Sequence, residues 1–267
     1  MQRRIRRRGG VIRGLVGAVL ALVPFAGLAL VVYVAARGRP PVEQFDAQLV
    51  VVEKGDTVTA IAERFGTTPQ LIGKLNGLAD PSRIYPDEVL LVPTAPDAKL
   101  PRTLADRVAA LAQPPPGSEP RRWRYVVIHH SASTKDCART INDFHRNTRG
   151  WRNGLAYDFV IGNGSMTPDG WIEVGHRWAK QLVGAHAKSH DNRMNEIGIG
   201  ICLVGNFDVG DVCPSEAQME SLVALVRNLQ RRYHVPKRRV IGHRDILKNY
   251  TACPGKNFSI ERFRDML

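Results

Sequence analysis

The chain has 267 residues, of which 43% are apolar, so it can bury one large core or a small one beside a medium one. Its formal net charge of +13 calls for an anionic partner, whether nucleic acid, membrane or cell-wall surface. Cys137, Cys202, Cys213 and Cys253 follow no zinc-finger spacing.

Much of the positive charge lies in residues 1–13, at Arg3, Arg4, Arg6, Arg7, Arg8 and Arg13, directly ahead of an uncharged Leu/Val/Ala-rich run over 14–36. About 20 such residues span a bilayer as a helix. Arginines on one flank hold that side in the cytoplasm, so everything beyond Arg37 is expected outside, in the periplasm or at the wall face. That placement favours a membrane role over nucleic acid, for which the chain carries no recognition motif. A cleaved, secreted form is the competitor, since Val34-Ala35-Ala36 offers small residues near a possible cut. Signal-peptide apolar cores run only about 7–15 residues, which favours the uncleaved anchor. Export permits a disulfide, and Cys137 with Cys213, both in polar surroundings, is the expected pair. Cys202, in the apolar run Ile199–Val204, reads as a small buried hydrophobe.

A tether over 37–47 leads to a compact unit over 48–93. Leu49-Val50-Val51-Val52 is strand-like. Asp56 is the expected N-cap of a helix over Val58–Phe65, and Thr68-Pro69 opens a second helix with Leu71, Ile72 and Leu75 inward. Asn76-Gly77 closes it, and Glu88–Val92 returns as a strand. The order Val52-Glu53-Lys54-Gly55-Asp56-Thr57-Val58, Leu75-Asn76-Gly77-Leu78 and Ile84-Tyr85-Pro86 resembles a LysM domain over its whole length. That resemblance implies a βααβ module binding N-acetylglucosamine-containing chains such as peptidoglycan, with Asp56, Thr57 and Asn76 beside the sugar groove.

Residues 94–122 read as a linker with one island, because Leu104, Val108 and Leu111 recur at helical spacing. Gln113-Pro114-Pro115-Pro116-Gly117 is a semi-rigid spacer.

The region 123–267 alternates strands and helices, which predicts an α/β domain with a mixed sheet flanked by helices. Strands are expected over Tyr125–His129, Tyr157–Ile161, Trp171–Val174, Ile197–Val204 and Val240-Ile241. Ile141, Phe144 and His145 share a helix face. Ser215 and Gln218 have capping-box spacing and open a long helix with Met219, Leu222, Val223, Val226 and Leu229 on one face. A closing helix is expected over Ser259–Leu267.

His243 follows one strand, Cys253 lies in a loop stiffened by Pro254, and His129 ends another strand. Two imidazoles and a thiolate make a three-ligand zinc set, and three protein ligands leave the fourth tetrahedral position open, as in catalytic sites. From spacing alone these are candidates among eight histidines.

A wider pattern surrounds them: Val127-Ile128-His129-His130-Ser131, Gly150-Trp151, Leu155-Ala156-Tyr157-Asp158-Phe159, Gly184-Ala185-His186-Ala187, Gly198–Phe207, Gly242-His243-Arg244-Asp245 and Thr251-Ala252-Cys253-Pro254-Gly255. In this order they resemble the type 2 zinc N-acetylmuramoyl-L-alanine amidases, whose fold is shared with peptidoglycan recognition proteins and amidase-type phage lysozymes. The resemblance implies a Zn2+ ion held by His129, His243 and Cys253. It gives Tyr157 the role of positioning the attacking water and Thr251 a share in oxyanion stabilisation. Some phage members have lysine at the Thr251 position, so this role is less general than the ligand set. His186 matches a groove histidine that contacts substrate. His130, next along the strand, points to the opposite face and reads as packing or as a support behind the ligands. The implied reaction is hydrolysis of the amide joining N-acetylmuramic acid to L-alanine of the stem peptide. The alternative on the same fold is a non-catalytic peptidoglycan-binding receptor, which typically lacks the cysteine ligand that this chain keeps.

Overall fold

The computed structural model describes residues 45–267 apart from 79, 117, 119, 120, 248 and 249. The basic segment over 1–13, the anchor over 14–36 and most of the tether lie outside the described residues. Among those described, no helix is long and apolar enough to cross a membrane.

The amino-terminal unit pairs β1 (Ala47–Val51) antiparallel with β2 (Val89–Pro93). Two short helices, α1 (Val58–Arg64) and α2 (Pro69–Asn76), lie between the strands in sequence. The cap of α1 is Thr57, whose hydroxyl accepts the Ala60 N–H, and not Asp56 as expected. Asp56 sits one residue early, and its carboxylate instead takes the Glu53 N–H at 2.9 Å. Gly77 ends α2 in the left-handed conformation, with φ of 61°. Strand side chains alternate between faces. Val50, Val52, Leu90 and Val92 cluster with Val58, Ile61 and Ile72 of the two helices. Ala47, Leu49 and Leu91 point the other way and join the core of the carboxyl-terminal region. Both faces of this two-stranded sheet are therefore buried, one in the unit's own small core and the other in the core it shares with the carboxyl-terminal region.

The island in the linker is α3 (Leu104–Leu111), opened by a reciprocal Thr103–Asp106 cap. Val108, Leu111 and Ala112 bury into the shared core. Arg107 fastens the two regions. Its guanidinium donates to the Leu75 carbonyl at 2.7 Å and lies 3.7 Å over the Trp171 ring. A side chain at Gly77 would meet Trp171 at 3.2 Å, so glycine permits this approach.

The carboxyl-terminal sheet contains β3 (Tyr125–His130), β4 (Phe159–Ile161), β5 (Ile172–Val174), β6 (Gly198–Leu203) and β7 (Val240–Gly242), in the order β5-β4-β6-β3-β7. The inner pairs are parallel and β5 is an antiparallel edge, which makes the sheet mixed as expected. The expected central strand is β6, and all six of its residues are buried. One face carries Val126, Ile128, Phe159, Ile161, Ile199, Ile201 and Val240 against α7 (Glu216–Tyr233) and α8 (Ile260–Asp265). The Ser215–Gln218 capping box forms as read. The buried stripe of α7 is Leu222, Leu225, Val226 and Leu229; Met219 and Val223 flank it and are only partly covered. The opposite face carries Val160 and Cys202 with Ile141 of α4 (Ala138–Asp143) and Leu155. A wider helical turn over Phe144–Thr148 follows α4, while α5 (His176–Ala179) and α6 (Arg193–Ile197) are short.

The expected disulfide does not form, since all four cysteines are free. Cys137 is the cap residue of α4, and the exposed Cys213 points its thiol at the Asn257 carbonyl 3.8 Å away.

Candidate metal centre

The site forms at the carboxyl ends of two neighbouring parallel strands. Ile128 of β3 pairs with Gly242 of β7, so the next residues, His129 and His243, leave the sheet side by side. Their ring centroids are 4.7 Å apart. Cys253 is brought back by a loop that Arg244 ties down. The Arg244 N–H donates to the Cys253 carbonyl at 2.8 Å, and its guanidinium donates to the Gly255 and Phe258 carbonyls at 2.7 Å each. The donor atoms of His129, His243 and Cys253 all lie within 4.8 Å of one another.

The hydrogen bonds behind His129 fix which of its nitrogens faces the cysteine. His186 Nε2 lies 3.1 Å from the Gly198 carbonyl, which can only accept, so that nitrogen carries the proton. His186 Nδ1 then accepts from His129 Nε2 at 3.0 Å. The lone pair of His129 is left on Nδ1, 3.7 Å from Cys253 Sγ. For a zinc ion with bonds near 2.0 Å to nitrogen and 2.3 Å to sulfur, a tetrahedral N···S edge is about 3.6 Å. A histidine ligand oriented through its other nitrogen is the usual arrangement around a metal.

His186 is buried behind His129 and does not line an open groove. Glycines make the slot for its ring. A side chain at Gly200 would come within 2.5 Å of the ring, and one at Gly184 within 2.7 Å.

Burial sets the protonation states. It holds His129 well below the ordinary imidazole range and His243 and His186 down at about 4, so all three are neutral at pH 7. It pushes the Cys253 thiol up to about 12, although the His130 N–H donated at 3.4 Å favours thiolate. Without a cation this thiol keeps its proton. His243 Nε2 is buried with no hydrogen-bond partner. An orphaned imidazole nitrogen, a lone pair aimed at a thiol and a soft N/S donor set all fit zinc.

Tyr157 precedes β4, and its ring lies 5.1 Å from that of His129. Burial and the nearby Cys202 and Cys253 thiols raise its hydroxyl well above 10, so it is a proton donor at neutral pH. The Thr251 hydroxyl accepts the Cys253 N–H at 3.1 Å, which shapes the ligand loop. His130 faces away, as expected, accepting the Phe207 N–H at Nδ1. His145 gained no role from its spacing. Its Nδ1 accepts the Ala156 N–H at 3.2 Å, and its ring lies between Trp151 and Tyr157, at 4.6 and 5.8 Å. It buttresses the segment that delivers Tyr157.

The expected sugar-contact residues of the amino-terminal unit are apart from this centre. Asp56 serves the turn before α1, and Thr57 its cap. Asn76 spends its amide on the unit's own backbone, donating to the Ile72 and Leu91 carbonyls and accepting the Leu91 N–H, each at 2.8 Å. Asn76 also borders a cavity of about 640 Å³ between this unit and the β5 hairpin, which includes none of the three candidate ligands.

Residues 119–256 match the N-acetylmuramoyl-L-alanine amidase family, and residues 50–93 match the LysM domain. The endolysin of Enterobacteria phage T3 is 31% identical over 152 residues, spanning 54% of this chain and 88% of its own. A peptidoglycan-recognition protein of Drosophila melanogaster is 30% identical over 139 residues, spanning 49% of this chain and 68% of its own. Among solved structures, the N-acetylmuramoyl-L-alanine amidase LysC from Clostridium intestinale URNW aligns with a TM-score of 0.45 at 30% identity, over 54% of this chain and 85% of its own. The family match takes in more than half of the chain and places His129, His243 and Cys253 inside it, so this chain belongs to the N-acetylmuramoyl-L-alanine amidase family and carries a LysM domain ahead of its amidase domain.

Proposed function

We propose that the chain is a zinc-dependent peptidoglycan hydrolase that cleaves the amide between N-acetylmuramic acid and L-alanine of the stem peptide. The LysM domain holds glycan strands nearby. The observation that carries this reading is the convergence of His129, His243 and Cys253, with Tyr157 beside them, in a chain of this family. Zinc bound by this donor set supplies Lewis acidity toward water and toward an amide carbonyl.

The protein's own groups do the rest. His186, anchored on Gly198, keeps the His129 Nε2 proton turned away from the ligand side. The Tyr157 hydroxyl, protonated at neutral pH, donates toward the oxygen on which charge develops. Thr251 holds the Cys253 backbone through its hydroxyl, which is the second candidate donor to that oxygen. The residues 14–36 supply a membrane anchor that places both domains on the extracytoplasmic side.

Purified chain incubated with peptidoglycan should release stem peptides with free L-alanine amino termini, read by mass spectrometry. Activity should vanish on chelation and return with zinc, and Cys253→Ser should abolish it. Intact muropeptides from zinc-loaded protein would leave the receptor role on the same fold.

A further inference from the structure

The two strands that end at the metal centre begin in a cluster of arginines. Arg121, Arg122 and Arg124 precede β3, and Lys237, Arg238 and Arg239 precede β7. Val126 of β3 pairs with Val240 of β7, so both basic segments lie at the same end of the sheet. Four strand steps of ~3.3 Å separate Tyr125 from His129, which puts this end roughly 13 Å of strand from the ligands. The last turn of α7 brings Arg232, Tyr233 and His234 there as well. Together these segments line an open cleft of about 390 Å³ with no acidic residue in its wall.

Several donors behind the cleft wall lack acceptors. Arg121 Nε, both Arg232 Nε and Nη2, and the Tyr233 hydroxyl are shielded from solvent and have no hydrogen-bond partner. Arg121 gives its Nη2 to the Glu196 carbonyl at 2.9 Å and rests on Trp123, and Arg239 rests on Tyr125. Those contacts hold the guanidiniums in place without neutralising them. The buried Asp158 carboxyl acts on Arg121 and Tyr233; its Oδ2 accepts the Gly200 N–H at 2.8 Å, its Oδ1 has no hydrogen-bond partner, and burial pushes it up to about 7, so it offsets only part of the charge of five arginines. Arginine at the end of a helix complements the helix dipole, yet that would leave no reason to crowd three chain segments of one sign into a concavity. The five arginines that line the cleft, Arg121, Arg122, Arg124, Arg232 and Arg239, present forked guanidiniums of one sign around one concavity, which matches an oxyanion with several acceptor oxygens such as phosphate.

We propose that this cleft is a phosphate-binding site on the end of the amidase domain opposite the metal centre. The phosphate group can be free or can belong to a lipid headgroup, and the two sources are separable by experiment. A body that grips phosphate at one end presents its hydrolytic centre at the other.

The test is calorimetric titration of the full-length, zinc-loaded chain at low salt with two probes, inorganic phosphate and glycerophosphoglycerol, the soluble diester headgroup of an anionic lipid. Saturable binding of either probe, weakened about tenfold or more by Arg232→Gln and by the exposed Arg124→Gln and suppressed by added salt, is the expected result. Binding of the diester as well as inorganic phosphate assigns the site to headgroups; binding of inorganic phosphate alone assigns it to the free ion. Amidase activity measured without phosphate should survive both substitutions, which separates loss of the site from loss of the fold. The proposal is overturned if neither probe binds, if both variants bind as wild type does, or if binding follows zinc removal and ignores the arginines.

Discussion

His186 Nδ1 lies 3.0 Å from His129 Nε2, and His186 Nε2 lies 3.1 Å from the Gly198 carbonyl. That relay decides which nitrogen of His129 is free to bind metal. In His186→Ala the His129 ring loses both its anchor and the acceptor for its proton. Zinc affinity should fall about 10–100-fold, as when such outer partners are removed elsewhere. Competition with a chromophoric chelator measures it, and an unchanged affinity would show that His186 only fills space.

Tyr157 tests catalysis apart from metal binding. Its hydroxyl is raised by burial and so stays protonated, and its ring packs beside His129 without supplying a ligand atom. Tyr157→Phe keeps the ring and should retain zinc at one equivalent. The kcat should drop by about 10²–10³-fold, the usual effect of losing one donor to a developing oxyanion. A kcat within twofold of wild type would remove Tyr157 from the chemistry.

Much of this was legible in the sequence because it rests on local rules. Apolar strand-like runs located β3 and β6, the Ser215–Gln218 box located α7, and motif order gave the three ligands. What escaped depends on contacts distant in sequence. The capping role passed from Asp56 to Thr57 because one residue of phase decides which side chain reaches the Ala60 N–H. The linker reading missed that Arg107 joins Leu75 to Trp171, since no spacing rule shows a guanidinium where to stack. His186 was legible as belonging to the site, but its place behind His129 needed the fold of β6. The disulfide expectation treated polar surroundings as a sign of proximity, which they are not.

Gly200 shows how the sheet protects the relay. Its absent side chain is the space occupied by the His186 ring, 2.5 Å from where a methyl group would stand. The clash is with a ring packed on all sides, so Gly200→Ala should destabilise the fold by about 1–3 kcal/mol, the range for overpacked cores. Zinc affinity should fall with it, because the ring can yield only by leaving His129. Denaturant unfolding and metal titration of the same sample check both, and loss of stability with full metal affinity would separate the ring's position from its role.

Glu173 on β5 gives a pH signature at the boundary between the LysM and amidase domains. Its carboxyl accepts the Ala138 N–H at 2.9 Å, yet burial, reinforced by the charge of Glu88, pushes it up to about 7. Unfolded, it titrates near 4.3. Between these values the folded chain keeps a proton that the unfolded chain has lost, so this group's contribution to stability falls as pH rises and levels off above about 7. Asp158, also pushed up to about 7 by burial, slopes the same way. The buried His145, held down at about 4, slopes oppositely between there and the ordinary imidazole range. Wild-type stability mixes these trends, but the difference between wild type and Glu173→Gln cancels those of Asp158 and His145 and leaves Glu173 with the part of the Glu88 titration coupled to it. Glutamine retains an acceptor for the Ala138 N–H and carries no charge. The variant should match wild type near pH 4, gain steadily toward pH 7, and hold an advantage on the order of 3–4 kcal/mol above it. Urea unfolding across that range measures the difference, and a flat one would mean that Glu173 is ionised in the folded chain at no cost.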